Sequence, residues 1–496
     1  KEKQKEIEKA KKELELLNSK IEEQKSNIII KENIIDKEED IEQLINNNIN
    51  TKITSQKLSL LVSQLEARTT KSTLAEVKET IQHLNIHPQY PIILVAGTNG
   101  KGSVCAYISQ ILMNANLNVG VFTSPHLFKY NERIAINNQM IADEVLCTYL
   151  EELTSYNLSL FQTFTLVMHK YFMQQNIDIA VIEVGIGGLL DVTNLFEPAI
   201  SVITSIDLDH KNILGDTIEA IGLQKAGIYR KHCPAFLSGT NIPNSVIEYA
   251  NSIQAYLHII NHEFKIILHE HSFDVLCMVN CGTVYNQQNS SKNQDNIYKA
   301  YYTIPYPKLR GDHQIANAAL SIAVINQLQS TYSINLSAIK NAVSSVYLGA
   351  RFEIISYKPQ IILDVAHNPD AVLKMCHNLL KLPFVKHCFA IFGVCNDKDV
   401  QQIINISKEY INKWWIAPIN SSRSCDTATL YKHLLLAGVK AEDIHIKNSI
   451  QESVADLVLY DKIHNIDPAN LDDYRIIAFG SFLVAEEVSL YLNTKV

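Results

Sequence analysis

The chain is predicted to be an α/β protein with two doubly wound halves, and three observations predict it. A β-branched apolar run, Ile92-Ile93-Leu94-Val95, leads into a glycine-rich turn at 97–103. Further apolar runs at 119–123, 177–184 and 199–206 alternate with longer helical stretches, and a second alternation of the same kind begins near Ala350. Strand, helix and strand in succession imply a mostly parallel sheet with helices on both faces. Such sheets place ligands at the carboxyl ends of their strands.

In chain order, residues 1–52 read as a helical appendage. Ile7, Leu14, Ile21, Ile28 and Ile35 recur every seven residues, but the companion row starts with Ala10 and Leu17 and fails at Gln24 and Lys31. A solvated helix or weak coiled-coil self-association is expected rather than a long stable coiled coil. Asn46-Asn47-Asn48 is expected to end it. Residues 53–346 form the first globular half, opened by Leu58, Leu61, Val62 and Leu65 on one helical face.

Pro91 precedes the 92–95 run and Gly97 follows it, which suits a short strand covered on both faces. In the turn, Gly97, Gly100 and Gly102 let backbone N–H groups approach an anion. A helix should follow, adding partial positive charge; Lys101 adds a full charge, and the Ser103 hydroxyl is placed for Mg²⁺. The usual phosphate-loop pattern is departed from, because Val95 stands where its first glycine would be and Gly102 separates Lys101 from Ser103. Taken alone, the segment also admits a glycine turn with an incidental lysine.

The other strand ends carry Thr123-Ser124-Pro125-His126, Glu183-Val184-Gly185-Ile186-Gly187-Gly188 and Asp207-Leu208-Asp209-His210. All should face one crevice. Glu183 lies inside an otherwise apolar strand, where an unpaired carboxylate is costly to bury, so a metal or a lysine is expected nearby. Residues 239–302 read as less regular, with an exposed polar loop at 286–296. Leu309-Arg310-Gly311-Asp312-His313-Gln314-Ile315-Ala316-Asn317-Ala318 opens a helix. Residues 347–496 form the second half, with strands at 361–365, 388–393, 414–417 and 475–479. The interface of two such halves is a favoured place for a cleft.

Composition narrows the partners. The 496 residues are 47% hydrophobic and 19% charged, the balance of a soluble globular protein, and the formal net charge of −8 supplies no basic excess for nucleic acid. Small molecules are the expected partners. Nine cysteines without CxxC pairs fit a reducing compartment, with cytoplasm as the default. No long uninterrupted apolar stretch predicts a membrane span, and the N-terminus is too charged for a signal peptide. The first residue is Lys1 rather than Met, as in a fragment or a processed form.

The motifs occur in an order that resembles the dihydrofolate synthase and folylpolyglutamate synthase group of the Mur ligase superfamily. They are Gly-Thr-Asn-Gly-Lys-Gly-Ser at 97–103, Thr-Ser-Pro-His-Leu at 123–127, Asn131-Glu132-Arg133-Ile134, Asp191-Val192-Thr193-Asn194 and Lys225-Ala226-Gly227-Ile228. The 311–318 segment, Asp364-Val365-Ala366-His367-Asn368-Pro369, Asp397-Lys398-Asp399 and Phe479-Gly480-Ser481-Phe482 complete the set. The resemblance runs from about Leu58 to the C-terminus. It implies a P-loop-type central ATPase domain followed by a Rossmann-like C-terminal domain, and an ATP-dependent amide ligase that joins L-glutamate to a pteroate or folate carboxylate through an acyl phosphate. It further implies a monomer without nucleic-acid or membrane partners.

Residue by residue, the resemblance implies that Gly97, Thr98, Asn99, Gly100, Lys101, Gly102 and Ser103 hold the ATP phosphates. Ser103, Ser124, Glu183 and His210 would belong to two magnesium sites. Lys225 resembles a lysine that is carbamylated in this family. Asn317 resembles an adenine-contacting asparagine, and Arg351 an arginine reaching the phosphates. Asp364 and His367 would line the nucleotide and glutamate side, and Ser481 would hold glutamate. Ser124, His126, Arg133, Gln162 and Asp191 would face substrate. The chain departs from the family pattern at Leu189, Val365, Ala350 and Gln162, and around Thr73–Val77, where an acid replaces an arginine. A single-activity synthase, another Mur-type ligase and a non-catalytic nucleotide-binding scaffold are the competing readings.

Overall fold

The computed structural model describes residues 38–68, 70–278, 298–463 and 474–493. The whole heptad row, Ile7 to Ile35, and the polar 286–296 loop lie outside the described residues. The chain divides into two compact units, residues 1–90 with 131–178, and residues 91–130 with 179–496. Among the described residues, no helix is long and apolar enough to cross a membrane.

The first unit is mainly helical. Its longest helix, Glu38–Glu66, continues through Asn46–Asn48 and across residue 52, contrary to the expected stop. Asparagine costs only about half a kcal/mol per helical residue, so three in a row weaken a helix without breaking it. The far end is anchored by burial of Leu58, Leu61, Val62 and Leu65. Lys57 pairs with Glu151 of the Asp143–Leu153 helix at 2.8 Å. The Leu74–His83 helix starts with a capping box between Thr73 and Glu76, which gives the acid at the departure from the family pattern a structural task.

The second unit is organised on the Ile92–Ala96 strand, all five residues of which are buried. Parallel pairing sets the spatial order Val119–Phe122, Ile179–Glu183, Ile92–Ala96, Ile200–Ile203, Pro234–Leu237, Tyr256–Ile259. Helices Lys101–Asn114, Asp312–Leu328 and Leu336–Ser345 share one core with this sheet through Ile108, Leu320 and Ile339.

The 239–302 region is more regular than expected. It holds the Asn244–Ser252 helix, the sixth parallel strand and two strands of a three-stranded antiparallel sheet, Phe264–Leu268, Ser272–Met278 and Tyr298–Pro305. Phe273, Val275 and Cys277 are buried at the strand period, but Asp274 between them is buried as well. Its carboxylate accepts from Thr303 N at 2.7 Å and sits 2.9 Å from His269 Nε2. A satisfied acid in the strand interior hid the alternation.

A second sheet begins at residue 353, with Glu353–Tyr357 antiparallel at its edge. Then come Gln360–Leu363, Tyr474–Phe479, His387–Phe392, Lys413–Ile416 and Ile444–Ile446, all parallel. Neighbours on one strand serve opposite faces: Trp414 packs in one core and Trp415 in the other. Leu94 is fully buried in the central strand of the first sheet. Leu94→Ala is expected to destabilise the second unit by about 2–5 kcal/mol through lost burial and a residual cavity, read as a lower urea midpoint of its unfolding transition.

Candidate active site

Four adjacent strands of the first sheet end at one edge, and their end segments bond to one another. After Ile92–Ala96 the chain turns at Gly97, where φ is 148° and an added Cβ would lie 1.9 Å from Thr204 Oγ1. No side chain is possible there without displacing Thr204. Thr98 N donates to Ser205 O at 2.8 Å, Asn99 N to Ser205 Oγ at 3.1 Å, and Thr204 Oγ1 to Asn99 O at 2.6 Å. The loop is thereby fixed to the strand beside it.

Gly100 is left-handed, with φ 89°, and opens the Lys101–Asn114 helix, whose N-terminus has no side-chain cap. The N–H groups there have no carbonyl one turn earlier, so they concentrate positive potential. Lys101 Nζ curls over the loop and donates to Gly97 O and Thr98 O at 3.1 and 3.2 Å. Ser103 is 3% exposed and its Oγ accepts from Gln314 Nε2 at 3.3 Å. Asn317 gives Nδ2 to Gln314 Oε1, and its Oδ1 would lie 2.8 Å from a Cβ on Gly100. Asn317 therefore abuts the loop.

Glu183 is 4% exposed and accepts from Ser124 N at 3.1 Å. An added Cβ on Gly102 would stand 3.8 Å from Glu183 Oε2 and 3.9 Å from Arg351 Nη2, so the guanidinium of the second half reaches the loop from the far side. Arg351 is thus one cation in the neighbourhood of Glu183, where a metal or a lysine was expected. Arg351 also lies over the Phe482 ring at 5.0 Å.

The second half joins at several points that sequence reasoning did not single out. Asn99 and Asn368 exchange side-chain hydrogen bonds of 3.1 and 3.0 Å, and Asn99 Nδ2 also donates to Asp370 Oδ2 at 2.8 Å. Asp209 Oδ1 accepts from Lys398 Nζ at 2.7 Å, with both side chains under a tenth exposed, and Asp209 Oδ2 accepts from Asn368 Nδ2 at 3.1 Å. Burial opposes charge on Asp209, but Lys398 above all outweighs it and holds the carboxyl well below its ordinary range. Asp209 Oδ1 also accepts from His210 N, whose residue takes the left-handed conformation at φ 50°. The motifs containing these residues were visible in sequence; their pairing across the halves was not.

Burial shapes the remaining groups. His210 and His367 are pushed down to about 4, chiefly by burial and then by Lys398, so both are neutral near pH 7. His367 Nδ1 sits 2.7 Å from Val365 O. Asp364 is raised to about 6 by burial, against hydrogen bonds from Ala366 N and Phe352 N and the charge of Arg351. Lys225, 3% exposed, is lowered to about 7 by burial and then by Lys101.

Other expected residues have local duties. Asp191 accepts from Ile186 N, Thr193 N and Thr193 Oγ1, bracing the turn after Glu183. Ser481 Oγ accepts from Leu483 N at the start of the Phe482–Asn493 helix. His126 packs against Tyr130 with the rings tilted at 44° and their centroids 4.1 Å apart. Arg133 and Gln162 belong to the first unit. Arg133 is 5.6 Å over the Phe164 ring, and Gln162 forms a capping box with Ser159 and donates to Ser72 O at 2.8 Å. Both ends of the Gln162 amide are therefore in structural use.

Among the described residues, no three His, Cys, Asp or Glu side chains form a ready-made metal site. An ion here would rest on the hydroxyls of Ser103 and Ser124 together with Glu183. Hard oxygen donors beside a buried carboxylate, with neutral His210 able to offer a lone pair, fit Mg²⁺.

Comparison with known proteins gives a consistent result. A model of the Mur ligase middle domain matches residues 95–325, and one of the Mur ligase glutamate ligase domain matches 350–462. The dihydrofolate synthase/folylpolyglutamate synthase of Buchnera aphidicola from Schizaphis graminum is 34% identical over 69% of this chain and 77% of its own length. The solved structure of Escherichia coli FolC in complex with DHPP and ADP shares 27% identity, covers 89% of this chain and 98% of its own, and gives a TM-score of 0.74. The bifunctional folylpolyglutamate synthase/dihydrofolate synthase of Yersinia pestis, complexed with AMPPNP and Mn ion, gives a TM-score of 0.74 at 27% identity over 88% of this chain and 98% of its own.

Lys398→Met should leave the buried Asp209 charge without its partner and cost about 3–5 kcal/mol of stability. Because the folded-state pKa of Asp209 is depressed, its contribution is complete above the ordinary carboxylate range and is lost as pH falls through the folded value. Urea unfolding at pH 7 and pH 3 should therefore show a smaller wild-type-to-variant gap at the lower pH.

Proposed function

This chain belongs to the dihydrofolate synthase/folylpolyglutamate synthase branch of the Mur ligases, and on that premise we propose that it joins L-glutamate to dihydropteroate and to folates at the expense of ATP. The observation that carries the proposal is an uncapped helix N-terminus bearing Lys101 and faced by Glu183 and Arg351 at the edge of four adjacent strands. A carboxylate is a poor electrophile. Transfer of the γ-phosphoryl group to its oxygen makes an acyl phosphate; the glutamate amine then forms the C–N bond, inorganic phosphate leaves and the amine loses a proton.

The protein's part is to screen negative charge and to align the reactants. The backbone of 97–103 and Lys101 hold phosphate oxygens, and Arg351 approaches them from the second half. Ser103, Ser124, Glu183 and His210 hold magnesium in two sites, where the metal supplies charge neutralisation for phosphoryl transfer. Asn317 and Asp364 orient the nucleoside, and His367 and Ser481 the incoming glutamate. Ser124 and His126 face the acceptor, while Asp191 acts as a brace. Lys225 is carbamylated: an amine whose pKa is near 7 has a substantial uncharged fraction at cellular pH that can attack CO₂ with loss of a proton, and the resulting anion answers the positive charge of Lys101. Residues 53–346 carry the ATP chemistry and 347–496 the glutamate site, in a cytoplasmic monomer.

Purified protein with ATP, Mg²⁺ and L-glutamate should release phosphate when offered dihydropteroate or tetrahydrofolate. Turnover with only one acceptor would mark a single-activity enzyme. Lys101→Ala and Glu183→Ala are each expected to lower kcat by about 10²-fold or more; undiminished amide formation would refute the mechanism and favour a non-catalytic scaffold. In ¹³C-bicarbonate, a carbamate resonance is expected that grows as pH rises through 7 and is missing in Lys225→Arg. Its absence from the wild type at every pH would exclude the modification.

A further inference from the structure

The Asp312–Leu328 helix has a second use for its first turns. Gln314 and Asn317 face the phosphate loop. Ile315 and Ala316 lie about 100° and 200° round the helix from Gln314, and there they line a separate cavity of about 640 Å³. Its other walls come from Leu268 at the antiparallel sheet, Tyr306 in the connection to the helix, and Lys381 and Leu382 in the second half. None of residues 97–103, Asn317, Arg351 or Asp364 lines it.

The volume falls in the range of about 300–1,000 Å³ typical of small-molecule sites. The walls are mostly apolar side chains, and Leu268, 62% exposed, leaves an apolar lip open to solvent. The polar groups are unequal in charge. Lys381 is paired with Asp312, whereas Arg310 has no carboxylate partner among the described residues. An unpaired guanidinium beside an apolar hollow selects a ligand with an apolar body and one acidic group.

We propose that this cavity binds a small organic anion with a ring-bearing apolar body, at a site separate from that of the nucleotide. The apolar body lies against Ile315, Tyr306 and Leu382, and the acid meets Arg310. Such a ligand touches the helix that carries Asn317 and the segment that follows the Pro369–Leu380 helix of the second half, so it bridges the two halves behind the loop.

The test is a fluorescence titration of the full chain with 1-anilinonaphthalene-8-sulfonate, with and without saturating ADP, beside the uncharged analogue N-phenyl-1-naphthylamine. Saturable binding at one site is expected, unchanged by ADP and stronger for the sulfonate. Arg310→Gln should weaken the sulfonate about tenfold and leave the uncharged probe unaffected. Leu268→Trp and Ile315→Phe, which fill the mouth and the floor, should weaken both probes. Retained ADP binding by each variant shows that it is folded. Displacement of the probe by ADP, unsaturable binding, equal affinity for the two probes, or wild-type affinity in all three variants would overturn the proposal.

Discussion

The candidate site depends on one packing constraint: the backbone between the Ile92–Ala96 strand and the Lys101–Asn114 helix must pass against Thr204 with no side chain between them. That contact decides where the turn can lie, and the hydrogen bonds from Thr98 and Asn99 to Ser205 hold it there. The helix then begins at the sheet edge with its first N–H groups unclaimed by any side chain. Concentrated positive potential at a rigid edge is what makes a triphosphate an appropriate ligand.

Around that edge, the charges are matched rather than merely abundant. Glu183 is buried within reach of Arg351, and Asp209 is buried against Lys398. Each pair takes one partner from either half of the second unit. A buried ion pair contributes little net stability compared with a well-packed apolar pair, but leaving one member alone is expensive. The Asp209–Lys398 ion pair therefore acts chiefly to register the two halves.

Several residues were legible in the sequence because their physics is local. The glycine turn, Lys101 and Ser103 are adjacent in the chain, and a short β-branched run before them suffices to place them at a strand end. Glu183 stood out as a carboxylate in an apolar strand. Other expectations failed where tertiary structure overrides a local rule. Asn46–Asn48 look like a helix stop, yet the helix continues because its far end is held by buried leucines and Val62. The buried Asp274 masks a strand whose alternate residues fill the core.

By itself the sequence determined the α/β class, the strand order along the chain, the phosphate loop and the set of polar residues at the strand ends, because periodicity, glycine placement and motif spacing act over a few residues. Only the tertiary structure decided that an arginine stands opposite Glu183, that Asp209 answers Lys398 from 189 positions away, and that Asn99 and Asn368 bond to each other. Those choices depend on how two separately built sheets meet. Charge pairing and desolvation act through space and leave no period in the chain.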